Sequence, residues 1–323
     1  MITELLSGVN MIYNCNIDGV NIGERYGVFI SKGGYNNILC FPAMKAPDQN
    51  DWSEEDGIEA DLSDPHLEAL TAEITFVVSG AQTFVGDFIE FVTSPGRHAL
   101  RIESLKRSWV VRVVSNQDVK DYRGCNVTGF SLQFSVDRPV IPAVIGSPAG
   151  GGLEIPVSAY EIDGISLDRF GIFIEEGRDE VLKMPAIKKT LSSSYRTEDG
   201  IEYDADLVKF SSKDVTLKGC FVASDITRFW KCYDCFFGSL IQPGMRRMFV
   251  DYMGEEYPCF YKTSKDFSVK DLSDYVIVSF SVTLVFAVFR IGAMDYLLSS
   301  EAGELIVLEE DGETCIDMKI YAN

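Results

Sequence analysis

The clearest pattern in the chain is a strict alternation of apolar and small polar residues near residue 130. Apolar side chains occupy every second position, at Phe130, Leu132, Phe134 and Val136, with Ser and Gln between them. In an extended strand, successive side chains point to opposite faces of the sheet. The alternation therefore predicts a half-buried strand over Val127–Asp137.

A helical period occurs upstream, within Gln82–Thr93. The apolar residues there have the spacing of one helical face, at Phe84, Phe88, Phe91 and Val92. Asp87 and Glu90 fall on the opposite face, and Pro95-Gly96 follows as a stop signal. This segment is therefore predicted to be an amphipathic helix.

The rest of the first 138 residues predicts strands joined by turns and loops. The predicted strands are Arg25–Ile30, Asn36–Phe41, Ala72–Val78, Ala99–Glu103 and Trp109–Ser115. The segment Ala46–Pro65 is polar and acidic and contains two prolines, Pro47 and Pro65. It predicts a long loop, a kind of segment that is often functional in compact domains.

The same order of signals occurs a second time, at a spacing of roughly 145 residues, which is the size of a domain. The opening IDGVNIGERYGVFI at Ile17–Ile30 returns as IDGISLDRFGIFI at Ile162–Ile174. Further matches follow in order: Asp56-Gly57-Ile58-Glu59 with Asp199-Gly200-Ile201-Glu202, the helical face with Phe229, Tyr233, Phe236 and Phe237, Pro95-Gly96 with Pro243-Gly244, and the alternating strand with Phe280, Val282, Leu284 and Phe286. We infer a tandem duplication of one domain.

The predicted fold class is mainly β, with two tandem homologous β-sandwich or barrel domains, each flanked by one amphipathic helix. The first domain with its leader is predicted at residues 1–138, a Pro/Gly-rich linker at 139–159, the second domain at 160–293 and a β-hairpin arm at 294–323. Because the arm lies outside the duplicated unit, deleting the residues after Ala293 is expected to leave the domains folded and to weaken assembly.

Composition and charge narrow the function classes. A chain of 323 residues with 46% hydrophobic and 24% charged residues fits two folded domains. The net charge of −20 argues against a nucleic-acid binder, because phosphate neutralisation needs clustered Lys and Arg. No apolar run is long enough for a membrane span, and no secretory signal is visible. The eight cysteines do not match across the repeats, which favours reduced thiols in a protein made in the cytoplasm.

Candidate chemistry is sparse. His66 and His98 have no counterparts in the second repeat and are interpreted as surface or structural residues. The acids of the long loop resemble a cation site in composition only and are interpreted as a solvated loop; they are Asp51, Glu54, Glu55, Asp56, Glu59 and Asp61. The sequence predicts no catalytic, cofactor-binding or metal-ligating residues, and no enzyme.

Cys232 and Cys235 form a CxxC motif within the second predicted helix, without a second cysteine pair or a nearby histidine. They occupy the positions that Asp87 and Glu90 hold on the outer face of the first helix. Because un-ionised cysteine prefers burial, we expect a neighbouring domain or subunit to cover this helix on its second side. A metal site is the weaker interpretation.

Short motifs of the second repeat resemble the N-terminal domain of phage distal tail proteins. They are, in order, Ile162-Asp163-Gly164-Ile165 with Phe170-Gly171-Ile172, the segment Lys188–Ser194, the turn Glu198-Asp199-Gly200 and the strand Val215–Val222. The first repeat departs from the family pattern, since Pro42–Asp51 places a longer acidic loop where the family has a basic patch.

The resemblance implies a phage tail-tube-type fold, shared with baseplate hub proteins, whose β-sandwich domains pair edge to edge into a ring around a DNA channel. With two such domains per chain, three chains would form a pseudo-hexamer, whereas six chains would form a hexamer with outer domains. The implied partners are other copies of the chain and the adjacent tail tube, hub and receptor-binding proteins, while DNA passes without specific binding. The implied location is the virion tail of a phage or prophage, made in the bacterial host cytoplasm.

The alternative is a tandem β-sandwich module that binds a ligand such as a carbohydrate. An exposed aromatic platform would favour it. However, Trp52, Trp109 and Trp230 do not recur between the repeats, and the secretion signal expected of such a module is not visible.

Overall fold

The structure is a computed structural model and describes residues 11–12, 14–79, 83–122, 127–142, 148–189, 192–197, 199–203 and 208–289. Most of the predicted leader and all of the predicted arm at 294–323 lie outside the described residues. The predicted boundaries between domains, linker and arm stay predictions.

Two antiparallel sheets contain most of the described strands. In the first repeat the elements are β1 (Met11–Ile12), β2 (Cys15–Ile17), β3 (Val20–Asn21), α1 (Ile22–Tyr26), β4 (Val28–Ser31), β5 (Gln49–Asn50), β6 (Glu59–Ala60), β7 (Leu70–Ser79), α2 (Thr83–Val92), β8 (His98–Ile102), β9 (Arg107–Tyr122) and β10 (Val127–Val136). In the second repeat they are β11 (Tyr160–Ile162), β12 (Ile165–Ser166), β13 (Ile172–Glu176), α3 (Arg178–Leu182), β14 (Ser192–Ser193), β15 (Glu202–Tyr203), β16 (Lys213–Ala223), α4 (Ile226–Leu240), β17 (Arg246–Val250), β18 (Glu255–Asp271) and β19 (Val276–Phe286).

The two sheets have the same strand order. The first sheet runs β1-β4-β7-β10-β9-β8-β2-β3, and the second, starting from the corresponding edge, runs β13-β16-β19-β18-β17-β11-β12. Apart from the added edge strand β1, each position is filled by the equivalent strand in chain order. Two short hairpins, β5–β6 and β14–β15, also occupy equivalent positions in the chain. The predicted mainly β fold class is confirmed, and the two repeats follow one chain path.

The long helices pack on equivalent cores. Phe88 of α2 is buried and lies 5.4 Å from Phe76 and 6.0 Å from Phe130, ring centre to ring centre. The equivalent residues of the second repeat, Tyr233, Phe221 and Phe280, form the same cluster. Asp87 and Glu90 are exposed. The amphipathic helix predicted near residues 82–93 is therefore confirmed, and its apolar face closes the core.

The strand predicted at Arg25–Ile30 is partly wrong. The chain first forms α1, whose N–H groups are capped by the side chain of Asn21. Gly27 then ends the helix in the left-handed region, at φ 66°, so that only Val28–Ser31 is extended. Both capping signals are local, and they override the β-forming side chains between them.

The strand predicted at Asn36–Phe41 is also wrong, because Asn36–Leu39 form a 3₁₀ helix. This 3₁₀ helix lies at the start of a long segment, or excursion, that joins β4 to β7. The segment contains the loop predicted at Ala46–Pro65. An isolated bridge between Met44 and Leu67 closes the base of this excursion, and the bridge between Ile187 and Phe210 does so in the second repeat.

The prediction of a half-buried strand at Val127–Asp137 is confirmed for the strand and wrong for its outer face. Ser131 and Ser135 are only 8% and 5% exposed. The strand is central in its sheet, between β7 and β9, so its short side chains lie between longer neighbours. Ser131 pairs with the hydroxyl of Thr75 at 3.1 Å, which satisfies it.

Candidate functional site at the junction of the two repeats

The buried histidine, His98, supports local structure. His98 is 5% exposed, and its Nδ1 lies 2.6 Å from Oδ2 of Asp18. The other oxygen of Asp18 accepts the N–H of Ala99 at 2.7 Å. Burial alone would raise the pKa of Asp18, but these hydrogen bonds outweigh it and the pKa is lowered. His98 therefore ties the Asp18-Gly19 turn to β8.

The other residues considered from the sequence are His66 and the two cysteines of the CxxC motif. His66 is exposed beside Asp64, at 3.1 Å. Cys232 and Cys235 are each 5% exposed, and burial raises the pKa of the Cys232 thiol to about 11. Within the described ranges, His, Cys, Asp and Glu side chains form no cluster of three or more that could hold a metal ion. Nor is any described helix long and apolar enough to cross a bilayer.

The residues that the structure does bring together lie where the two repeats meet. The excursion of residues 35–67, called here the first loop, leaves its own sheet and lies on the second repeat. The equivalent segment of the second repeat, called here the second loop, comprises the described residues among 178–210. The first loop makes the junction through its side chains, its backbone and its Asp-Gly turn.

Phe41 is the apolar centre of the junction. Its ring stacks on Phe237 of α4, with 4.6 Å between ring centres, and packs edge-on against Tyr261 of β18. Its N–H donates to Ser264 Oγ at 2.9 Å, and its carbonyl accepts from the hydroxyl of Tyr261 at 3.1 Å. Phe41 is 3% exposed, so this contact is part of a continuous core.

The first loop also joins β18 through its backbone. Met44 donates its N–H to the carbonyl of Lys262 at 3.0 Å. Lys262 lies at a bulge of β18, beyond the part of the strand that β17 pairs with. The first loop thus occupies an edge of β18 that its own sheet leaves open.

Lys188 fixes the acidic part of the first loop. Its ammonium group donates to the carbonyl oxygens of Trp52 and Gly57 at 2.7 and 2.5 Å and lies 2.5 Å from Oδ1 of Asp51. The Lys188 side chain is only 6% exposed. The segment interpreted from sequence as a solvated acidic loop is therefore partly a binding surface for a buried lysine of the second repeat.

The Asp56-Gly57 turn completes the contact. Phe210 donates its N–H to Asp56 Oδ1, and its carbonyl accepts the N–H of Gly57, both at 2.7 Å. Gly57 has φ 74°, and a Cβ at this position would overlap the carbonyl oxygen of Ala287. Glycine is required here both for its conformation and for the close approach of the two segments of the chain.

A polar and aromatic cluster forms the other side of the junction. Arg107 of β9 pairs with Asp234 of α4 at 2.9 Å, and its guanidinium lies 4.0 Å from the ring centre of Trp230. Burial raises the pKa of Asp234, although Arg107 opposes this effect. Trp230 also donates to the carbonyl of Leu105 at 2.6 Å and meets Trp109 edge-on.

A small cavity of about 170 Å³ lies within this cluster, lined in part by Phe41, Trp109, Val140 and Trp230. The contacts described above join the first repeat to the second at this junction. Sequence reasoning missed Lys188, Arg107 and Phe41, and the one available signal was the basic segment beginning at Lys188.

No protein-family model matches the sequence, and no curated protein matches it. Among solved structures, the chain is similar to the SPP1 Dit (gp 19.1) protein, described as a paradigm of the hub adsorption apparatus in Gram-positive infecting phages. The TM-score is 0.30 with 8% identity, and the alignment covers 84% of this chain and 97% of that protein. At this level the similarity is too low to carry an argument about fold or function.

Proposed function

We propose that the chain is a structural component of a phage or prophage-derived tail near its distal tip. It assembles into a ring around the DNA channel and docks tube, hub and receptor-binding proteins. It works by binding and assembly, without catalysing a reaction. The observation that supports this proposal is the junction itself, in which a loop of one repeat fills the open strand edge of the next repeat.

Three further features agree with the proposal. The motifs of the second repeat resemble those of distal tail proteins, and both sheets have one strand order. A net charge of −20 suits a conduit that lets DNA pass, because an acidic surface repels phosphate.

Solution mass by light scattering, with negative-stain images of the same sample, tests the proposal. A ring of three chains with a central hole is expected for a pseudo-hexamer, and a ring of six chains for a hexamer with outer domains. A protein that stays monomeric at all concentrations, or forms assemblies without a central hole, would contradict the proposal.

A second candidate function is a ligand-binding module, favoured by the exposed side chains of Tyr195 and Tyr203 on the second loop, at 53% and 64%. Exposed aromatic rings are suited to stack on sugars. Titration with a panel of oligosaccharides, followed by tryptophan and tyrosine fluorescence, separates the two functions. Saturable binding by a monomer would favour the module.

A further inference from the structure

We propose that the second loop binds the first repeat of another copy of the chain, through the contacts that the first loop makes with the second repeat. This inference rests on the proposed function, since it names the partner and the contact by which copies join. Its basis is that the loop, the open strand edge and the Asp-Gly turn of the loop each recur in the chain, once in contact with the other repeat and once exposed.

The apolar residues of the first loop are buried, whereas their equivalents in the second loop are exposed. Leu39, Phe41 and Met44 of the first loop are 1%, 3% and 8% exposed. Their equivalents at the same distance from the Asp-Gly turn, Leu182, Met184 and Ile187, are 39%, 48% and 62% exposed. Clustered exposed apolar residues mark an interaction surface. The second loop therefore has the apolar side chains of a docked loop, and in the described part of the chain these side chains remain exposed.

The open strand edge on which a loop docks, called here the receiving edge, also recurs. The first repeat offers β9 where the second offers β18, and each strand extends beyond its pairing with β8 or β17. Val114 lies at a register shift of β9 that matches the bulge at Lys262, and it is 40% exposed. Beside it, Val113 is partly exposed, whereas the equivalent Tyr261 is fully buried beneath Phe41.

The first loop also has backbone groups that could bind the Asp199-Gly200 turn of another copy. In the bridge of the first loop, Lys45 and Glu68 donate to the carbonyls of His66 and Ala43. This is the pattern that the second loop shows around Phe210, whose own N–H and carbonyl bind the first loop. Leu67, at the position of Phe210, therefore directs its N–H and carbonyl away from the bridge. It is placed to bind Asp199-Gly200 of another copy.

Lysine and glycine complete the correspondence. Lys45 is exposed at the position where Lys188 is buried under the first loop. A Cβ at Gly57 would overlap Ala287, whereas one at Gly200 would meet nothing within 4 Å. Gly200 has φ 98°, so it keeps the turn conformation without the contact that its equivalent makes.

The base of the second loop is held in position before any partner binds. The ammonium group of Lys213 donates to the carbonyls of Val181 and Lys183 at the end of α3, at 2.5 and 2.7 Å. An ordered base lowers the entropy that binding has to remove. The contact is head-to-tail, because a loop of one copy meets a strand edge of the next.

The decisive experiment uses two variants of the full chain, Ile187→Asp in the second loop and Val114→Asp on the receiving edge, with Val157→Asp as control. Val157 is 84% exposed and lies outside both surfaces, so its variant is expected to assemble like the wild type. Each of the other two variants is expected to be monomeric by light scattering. Circular dichroism and thermal unfolding check that each one is folded.

Mixing the two monomeric variants gives the sharpest readout. The Val114→Asp chain keeps an intact second loop and the Ile187→Asp chain keeps an intact edge, so an equal mixture should form a dimer and nothing larger. Rings that persist in both variants would overturn this inference and leave the proposed function standing. A mixture that stays monomeric would overturn it as well. Open filaments of wild-type chains that both variants abolish would support the contact and overturn the proposed ring.

Discussion

Asp18 and Asp163 occupy equivalent Asp-Gly turns, and each carboxylate accepts the N–H of the facing strand, from Ala99 and Arg247 respectively. The second partner differs, because His98 binds Asp18 and Arg246 binds Asp163. His98 thus has a structural counterpart, although no histidine recurs in the sequence. The geometry of the turn is kept while the side chain that supports it changes.

Replacement of Asp18 by Asn should reveal the lowered pKa of this carboxyl group. A carboxylate with a lowered folded pKa stabilises the fold above its unfolded pKa of about 4 and loses this contribution as the pH falls through the folded value. We expect Asp18→Asn to cost about 1 kcal/mol of unfolding free energy at pH 7 and progressively less below pH ~4. Urea unfolding from about pH 2 to about pH 7 measures the difference in unfolding free energy between the wild type and the variant.

Asp64→Asn is the matched control, because this aspartate is 82% exposed beside an exposed histidine. It should change the unfolding free energy by less than about 0.5 kcal/mol. A penalty for Asp18→Asn that is the same at every pH would contradict the assigned role of the carboxylate.

Lys188 should stabilise the folded single chain, whereas Lys45 should contribute only to contacts between chains. Lys188→Met leaves the carbonyls of Trp52 and Gly57 without their donor, at an expected cost of about 2–4 kcal/mol. Lys45→Met should be nearly neutral, since this side chain is exposed. Both are measured by urea unfolding in the Ile187→Asp background, which we expect to be monomeric. Equal effects of the two substitutions would contradict this difference.

At the scale of elements, the helix α4 is more extensively covered than α2. Trp230, Tyr233 and Asp234 all contact the first repeat, and Cys232 and Cys235 on the same helix are buried. In α2 the positions of these cysteines hold Asp87 and Glu90, both exposed. The substitution of acids by cysteines accompanies a change from a solvated helix to a covered one.

The turns at Asp56-Gly57 and Asp199-Gly200 should respond differently when a methyl group is added to the glycine. Gly57→Ala should cost about 2–4 kcal/mol, because it adds the strain of a positive φ and an overlap with Ala287 at a buried contact. Gly200→Ala should cost only about 1 kcal/mol within the chain, from backbone conformation alone.

Gly200→Ala is expected to have a larger effect on assembly than on the stability of the single chain. If the second loop docks as proposed, the added methyl group of Gly200→Ala meets the neighbouring copy and should reduce assembly at least about tenfold, which corresponds to 1.4 kcal/mol. Thermal unfolding of the monomeric Ile187→Asp background and light scattering of the otherwise unchanged chain measure the two effects separately. An assembly equal to that of the wild type would count against the docking.

Elements with a strong local pattern were predictable, and contacts between distant segments were not. The strand at Val127–Val136 and the helix at Thr83–Val92 follow from their own periodicity. Nothing near Gly57 in the sequence indicates that it approaches Ala287, more than two hundred residues away. The burial of Lys188 likewise depends on a loop of the other repeat. The junction could not be predicted from the sequence because its two sides come from distant segments that meet only in the folded chain.

At the scale of the whole molecule, one hydrophobic core runs through both repeats. Because the apolar contacts continue across the junction, we expect a single cooperative thermal transition in calorimetry, with equal calorimetric and van't Hoff enthalpies. Two separated transitions would show that the junction is too weak to couple the repeats.

Arg107 should contribute to that coupling. Arg107→Ala removes the pair with Asp234 and the contact with Trp230, at an expected cost of about 2 kcal/mol. The control is Lys218→Ala, which breaks the exposed pair with Glu176 and should lower the unfolding free energy much less than Arg107→Ala does. Chemical denaturation of both variants compares them directly, and equal costs would show that the junction pair behaves as an ordinary surface pair.

The docking of the first loop within its own chain also changes the kinetics of building any larger assembly. A contact between two covalently linked repeats forms at a high effective concentration and needs no encounter between molecules. A ring of three such chains would be assembled from three pieces instead of six, so half of its contacts exist as soon as each chain has folded. Its yield would then depend on the third power of the subunit concentration rather than the sixth, which favours complete rings even when the protein is scarce.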